Sequence, residues 1–268
     1  MAAQPFAIPL TAGEAGLVPL PAAERRQLTV FGAPVELVCM PHRAARHGRP
    51  SAQRPAFRAS IAERILAEEM LWSGGGLAVT ANRYPFAAQQ RIVWPLEGTR
   101  EHGFELLAAV FDWVDRLDGT GFVNGVGAAA SIVWAHAHVS PERQPFLAAL
   151  GERPAAGDWL PAVAGVEFVH KNVPFCLLGV RGDAAARARA VVLLGLRRMT
   201  ATVTMVSNRG VTWLLPRSVE TPAPWFPYAL GAAEVWGRWC YVEQEPFAAA
   251  TAADLERALV AAGVLAIS

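Results

Sequence analysis

Lysine is almost missing from this chain. Of the 24 basic residues among 268, Lys171 is the single lysine and the rest are arginine. A GC-rich coding bias accounts for that blandly, although arginine's planar fork also suits carboxylate and phosphate recognition. Cysteine is scarce too: Cys39, Cys176 and Cys240 lie far apart and form no CxxC pair. That excludes a disulfide framework and a cysteine-built zinc site, and it fits a reducing cytoplasm. No apolar run approaches the roughly 20 residues that span a bilayer. Met1 to Gly16 carries Glu14 and no basic stretch before an apolar run, so it does not read as a signal peptide. A formal charge of +1 gives no global attraction to nucleic acid or to anionic membranes. The expectation is a cytoplasmic protein with no nucleic-acid or membrane partner.

What is present describes a compact globular chain. Hydrophobic residues make up 53% and charged residues 18%, enough apolar side chain for a substantial core in one large domain or two small ones. Gln27 to Met40 reads as a strand pair broken at Gly32-Ala33-Pro34. Pro41 to Pro55 is a proline-bounded basic loop with His42, Arg43, Arg46, His47, Arg49 and Arg54. It is either solvated surface or a set of arginines that closes over a polyanionic ligand. Ser60 to Leu71 reads as a helix with a capping box formed by Ser60 and Glu63.

Further on, Leu77 to Thr80 and Arg91 to Pro95 read as short strands, the second stopped by its proline. Gly103 to Leu117 places Leu106, Leu107, Val110, Phe111, Val114 and Leu117 at helical spacing, with Asp112 and Asp115 on a solvated flank. Pro141 to Pro161 is rich in proline and glycine, and marks an inserted loop or a boundary. Val163 to Val169 and Val173 to Val180 read as strands, Asp183 to Arg198 as a helix, and Thr200 to Val206 with Gly210 to Leu215 as a hairpin. Ala253 to Ala262 reads as a last amphipathic helix. Short strands alternating with helices predict an α+β fold, a mostly antiparallel sheet with helices packed on one side.

The chemistry concentrates in Phe122 to His138, a Gly/Ala-rich turn leading into an alternating segment. Read as a strand over Ser131 to His138, it puts Trp134, His136 and His138 on one face, the imidazoles about 7 Å apart. Such a pair serves an anion site, an ordinary exposed strand or a metal. The metal reading needs ligands from distant sequence, such as His102 or His170, because no Asp, Glu or Cys stands at close ligand spacing.

Several separated fragments together resemble the histidine-triad superfamily, in its branch of galactose-1-phosphate uridylyltransferases, diadenosine tetraphosphate phosphorylases and GDP-L-galactose phosphorylases. Asn82-Arg-Tyr-Pro-Phe86 is similar to that branch's Asn-x-aromatic-Pro segment, and Asn124 to Ser131 to its Asn/Gly-rich approach ending in serine. Trp134-Ala-His136-Ala-His138 occupies the triad positions. Thr204 to Arg217 and Gly231 to Gly237 are similar to the later part of the phosphorylases. The likeness runs over roughly residues 77 to 243.

This resemblance implies a histidine-triad-like fold, with two related halves at residues 1–150 and 151–268 and the histidine motif in the first. It implies nucleotidyl transfer through a covalent histidine, with His136 as nucleophile and His138 as phosphate partner. A main-chain carbonyl near position 134 is expected to orient His136. Asn82, Asn124, Gly125, Gly127, Ser131 and Trp134 are the implied substrate contacts, joined on charge and location by Lys171 and Arg217. For Arg217 a structural pairing with Glu220 or Glu234 is the alternative. The substrate class is a nucleotide or nucleotide sugar, with no cofactor and no metal, in a monomer or homodimer. Two positions depart from the family pattern: Trp134 stands where the triad has its first histidine, and His138 stands where the transferases commonly have glutamine and the hydrolases histidine. Hydrolysis, a tailoring reaction on a non-nucleotide metabolite, and nucleotide binding without turnover therefore stand beside transfer.

Overall fold

The computed structural model describes residues 7–46, 59–197 and 202–265. The chain opens on the antiparallel pair β1 (Glu24–Val30) and β2 (Ala33–Cys39), turning through Phe31 and Gly32 at φ of 48° and 77°. Ten strands then build one continuous antiparallel sheet: β3 (Met70–Gly74), β4 (Leu77–Ala81), β5 (Arg91–Pro95), β6 (Thr120–Asn124), β7 (Ala137–Ser140), β8 (Glu152–Pro154), β9 (Glu167–Lys171), β10 (Leu178–Arg181), β11 (Val203–Asn208) and β12 (Val211–Pro216). Finally β13 (Arg238–Tyr241) adds parallel to β2 and closes a separate three-stranded sheet.

The order across the large sheet is β3-β4-β5-β7-β6-β11-β12-β10-β9-β8. Read outward from the β6–β11 pair, each side runs through five strands in the same connectivity. Each side also has one helix between its third and fourth strand, α2 (Phe104–Leu117) on one and α4 (Ala184–Arg197) on the other. Period-two alternation sends Val79, Val93, Val123, Ala137 and Val139 to the face under these helices, where α2 buries Leu106 through Phe111, Trp113 and Val114.

The opposite face is also covered, so the expectation of helices on one side only is corrected. There α1 (Ser60–Glu69) lies over β3 and β4, with Ala62 in a cluster with Ile92, Trp94 and Trp134. The small sheet, with α3 (Phe146–Ala149), α5 (Ala232–Trp236), α6 (Gln244–Ala249) and α7 (Ala252–Ala262), packs over the remainder around Phe86, Phe122, Val206 and Trp236. The two clusters on this face are separate, and the histidines stand between them: His136 stacks on Trp94 of one, and His138 faces Phe86 of the other.

Four local expectations are corrected. Ala59, not Ser60, is the N-cap of α1, and no side chain caps it, so the Ser60–Glu63 capping box is not formed. Asp115 is not a solvated flank: it accepts from the buried Arg187 guanidinium at 2.6 Å and from the Gly210 amide at 3.0 Å, tying α2 to α4 and to the β11–β12 turn. The second-half strands begin four to five residues later than their hydrophobic runs suggested and end one to two later, at Glu167–Lys171 and Leu178–Arg181. The stretch between 141 and 161 holds α3 and β8. Of the basic loop, Pro41–Arg46 is a 3-10 turn, while His47, Arg49 and Arg54 lie outside the described residues, as does Arg198.

Candidate active site

The strand expected over Ser131 to His138 begins only at Ala137. Its partner explains why. In the β5–β7 ladder Val93 faces Ala137, and the register carried two residues on would set Pro95 against Ala135. Proline has no amide hydrogen to give. The Ala135 amide turns instead to the Thr99 carbonyl at 2.7 Å, and residues 131–134 bend away. Trp134 seals the departure, donating its indole N–H to the Pro95 carbonyl at 3.0 Å.

That bend brings the Trp134 carbonyl under its own neighbour. His136 Nδ1 lies 2.8 Å from it. A carbonyl only accepts, so Nδ1 carries the hydrogen and the lone pair sits on Nε2. The ring is held flat against Trp94, centroids 4.7 Å apart with 25° between planes. His102 fixes the other side of the residue: its Nε2 donates to the His136 carbonyl at 3.1 Å. Burial pushes the His102 imidazole below its usual pKa, against the pull of that bond and of Glu101, which keeps it a neutral donor.

His138 is held in the opposite sense. Its Nδ1 lies 3.5 Å from the Asn82 side-chain nitrogen, a donor. The Asn82 assignment is over-determined, because its oxygen accepts from the Tyr84 amide at 3.0 Å and its nitrogen also donates to Gln90 Oε1 at 2.9 Å. His138 therefore accepts at Nδ1 and carries its hydrogen on Nε2. The two rings, 5.3 Å apart and nearly perpendicular, offer one lone pair and one N–H.

The loop from Asn82 to Gln90 is braced from every side. Gln90 Oε1 accepts from the Phe86 amide and Glu142 from the Ala88 amide, while Ser140 Oγ donates to the Ala88 carbonyl. Buried Arg238 donates to the Phe86 carbonyl at 2.8 Å and pairs with Glu36 and Glu142, joining both sheets. Burial alone would raise the Glu142 carboxyl, but hydrogen bonds from Arg238 and the Ala88 amide outweigh it and hold its pKa below the usual range. Arg43, on the described part of the basic loop, lies 5.2 Å over the Phe86 ring. That places one arginine of that loop beside the Asn82 segment.

The remaining sequence-derived contacts divide. Phe122 faces His138 and Val123 faces Ala137, so the register carried one residue on sets Asn124 opposite His136. Its oxygen accepts from the Ala232 amide at 2.9 Å, tying it to α5. Gly125 and Gly127 form the turn behind it. The Gly125 amide donates to the Val203 carbonyl at 3.0 Å, and Gly127 has φ of 84°. Ser131 is exposed at the outer end of the loop. Arg217 pairs with neither Glu220 nor Glu234. It is buried, and it donates to Thr204 Oγ1 and to the carbonyls of Leu230, Val219 and Glu220. Burial draws its pKa down to about 10 against both carboxylates.

Lys171 does not join the histidines. It lies on β9, five strand spacings from β7, on the order of 24 Å at the usual 4.8 Å spacing. His170 is beside it on β9, and His102 serves a backbone carbonyl, so the ligands a metal reading of the pair required are engaged elsewhere. Sequence reasoning missed Gln90 and the positioning role of His102. Neither sits in a patterned motif; a lone polar residue at a strand start and a lone histidine before a helix carry no signal.

No protein-family model matches the sequence, and no curated protein does. Solved structures do. The chain aligns with yeast Ap4A phosphorylase Apa2 in complex with Ap4A at a TM-score of 0.69 and 14% identity, covering 95% of this chain and 94% of that one. It aligns with the same enzyme in complex with AMP at 0.68 and 15% identity, over 92% and 90%. This chain has the histidine-triad-like fold. Within the histidine-triad-like fold the likeness extends across both sides of the sheet, since nearly all of either chain is covered. Among the described residues no helix is long and apolar enough to cross a membrane.

Proposed function

We propose that this protein is a nucleotidyl transferase or phosphorylase that splits a nucleotide sugar or dinucleoside polyphosphate through a covalent nucleotidyl-histidine at His136. The observation that carries the reading is the 2.8 Å contact from His136 Nδ1 to the Trp134 carbonyl, which leaves the attacking lone pair on Nε2. In the first step Nε2 bonds to the nucleoside-linked phosphorus as the P–O bond to the distal phosphate breaks, and that phosphate leaves as an anion. In the second, an acceptor oxygen attacks the same phosphorus, the P–N bond breaks and its electron pair returns to Nε2. Nε2–H of His138 donates to a phosphoryl oxygen whose charge grows in both steps.

The fold shared with an enzyme named for Ap4A phosphorolysis supports this class. Cytoplasmic location fits three buried, unpaired thiols, and the chemistry needs one chain only, so monomer and homodimer serve equally. The test is turnover of Ap4A and of nucleoside diphosphate sugars, with and without inorganic phosphate, by the parent and by His136→Ala. Loss of all turnover in the variant supports the reading; an active His136→Ala overturns it. His138 at the third position favours a hydrolase as the second reading, and phosphate-independent turnover of the same substrates would select it.

A further inference from the structure

One row of residues crosses the eight inner strands of the large sheet and is symmetric about its middle: Thr80, Ile92, His138, Phe122, then Val206, Trp213, Gly179, Val169. The centre is the Phe122–Val206 pair. With the repeated strand order, this fixes which second-half residue stands at each first-half site position. Trp213 takes the place of His138 and Val211 that of His136. Two residues beyond Thr80 and Val169, Lys171 takes the place of Asn82. By the same count Arg181 stands for Trp94 and Asn208 for Asn124.

All five of these counterparts line a single cavity of about 530 Å³. The histidine site therefore has an equivalent in the second half, stripped of nucleophile and refitted with charge. Lys171 is buried, lies 4.3 Å over the Trp213 ring and donates to Glu152 at 2.6 Å. Arg181 pairs with the same carboxylate. At the rim Arg143 and Arg209 share Asp118. Among the lining residues four cations stand against two carboxylates, a net +2, with Glu167 outside the lining and 3.8 Å from Arg181, while the whole chain is +1. The remainder of the chain therefore sums to −1.

We propose that this cavity is a second ligand site that binds a small phosphate dianion, free or as a phosphate monoester, without transforming it. A charge near −2 at neutral pH matches the +2 of the walls. The three arginines are the forked donors that phosphate oxygens accept from, and their side chains are 40 to 73% exposed, so they can turn from their carboxylates onto an anion. Val211 and Trp213 offer no nucleophile. Asn208, the lining residue on β11, is two strand spacings across the sheet from β7 and, opposite Thr120, four residues along β6 from the Asn124 level of His136, about 10 Å across and about 13 Å along. Lys171 is five spacings away, about 24 Å, so a phosphate held here is not the acceptor that reaches His136.

The test is calorimetric titration of the full chain with inorganic phosphate and with ribose 5-phosphate. The titration runs on the parent, His136→Ala, Arg143→Gln/Arg209→Gln and Arg181→Gln, with urea unfolding of each to show that it is folded. The site predicts binding that survives in His136→Ala and weakens at least about tenfold in each arginine variant, the loss of a charge-assisted hydrogen bond. Binding to phosphate alone or to both ligands separates the free ion from the monoester. Binding that disappears with His136→Ala, binding unchanged in the arginine variants, or no saturable binding overturns the proposal. None of these outcomes depends on turnover, so failure here leaves the catalytic reading intact.

Discussion

The Trp134 carbonyl and His136 Nδ1 are 2.8 Å apart, and this contact belongs to the backbone of residue 134, not to its side chain. The indole has a separate task, bonding Pro95 and packing within 3.0 to 3.2 Å of where a Cβ on Gly98 would stand. Trp134→His is therefore expected to keep most of the parent kcat, whereas Trp134→Ala is expected to cost about 3–5 kcal/mol of stability through its cavity. Steady-state kinetics beside urea unfolding check both. A dead but fully stable Trp134→His would show that the indole takes part in the reaction.

Asn82 sets the tautomer of His138, so its replacements separate donation from charge. Asn82→Ala removes the donor and is expected to lower kcat on the order of 10²-fold, the scale of a positioned proton donor. Asn82→Asp puts a carboxylate against Nδ1, which favours the imidazolium. The limb of the pH–rate profile that reports His138 then moves to higher pH. Profiles that coincide with the parent in both variants would remove His138 from the chemistry.

His102 and Glu142 lend the fold two distinct acid sensitivities. The His102 pKa is lowered on folding, so the unfolded chain takes up its proton first, and stability falls as pH drops through the usual histidine range near 6.5. The Glu142 pKa is also lowered, so its contribution is full above 4.5 and disappears as pH falls through its folded value. Urea midpoints measured from pH 8 to 3 should show both declines. His102→Gln, which keeps a donor, should lessen only the upper one, to which His170, its pKa also lowered by burial, contributes as well; a decline unchanged in that variant would contradict the assignment.

Arg217 serves three backbone carbonyls, and Glu220 beside them accepts from the Ala129 amide in the Gly/Ala-rich loop. Arg217→Met is expected to cost about 3 kcal/mol, the scale of leaving buried acceptors unpaired. It should lower activity only as far as the loop loosens. Lost activity at unchanged stability would instead make Arg217 a direct substrate contact, as its charge first suggested.

Legibility in the sequence followed periodicity. The helix of Phe104–Leu117 was written in its apolar spacing, and the hairpin around Ser207 to Gly210 in its turn residues. The pairing of His136 with His138 was legible as a motif, though not its geometry, because the ladder that ends at Pro95 decides where β7 begins. Lys171 was misplaced by the same limit. Its charge marked it as a binder, but which end of a ten-stranded sheet it occupies is a matter of strand order that no local pattern encodes. Asp115 looked like solvated surface because its partner, Arg187, is 72 residues away.

The central claim is a covalent bond at one nitrogen. The most direct measurement is mass spectrometry of peptides from protein incubated with Ap4A, or with a nucleoside diphosphate sugar, and quenched under alkaline conditions that preserve P–N bonds. The account predicts one nucleoside monophosphate on the peptide containing His136, absent from His136→Ala, and released by mild acid. An adduct on His138, or turnover with no adduct at any time point, would contradict it.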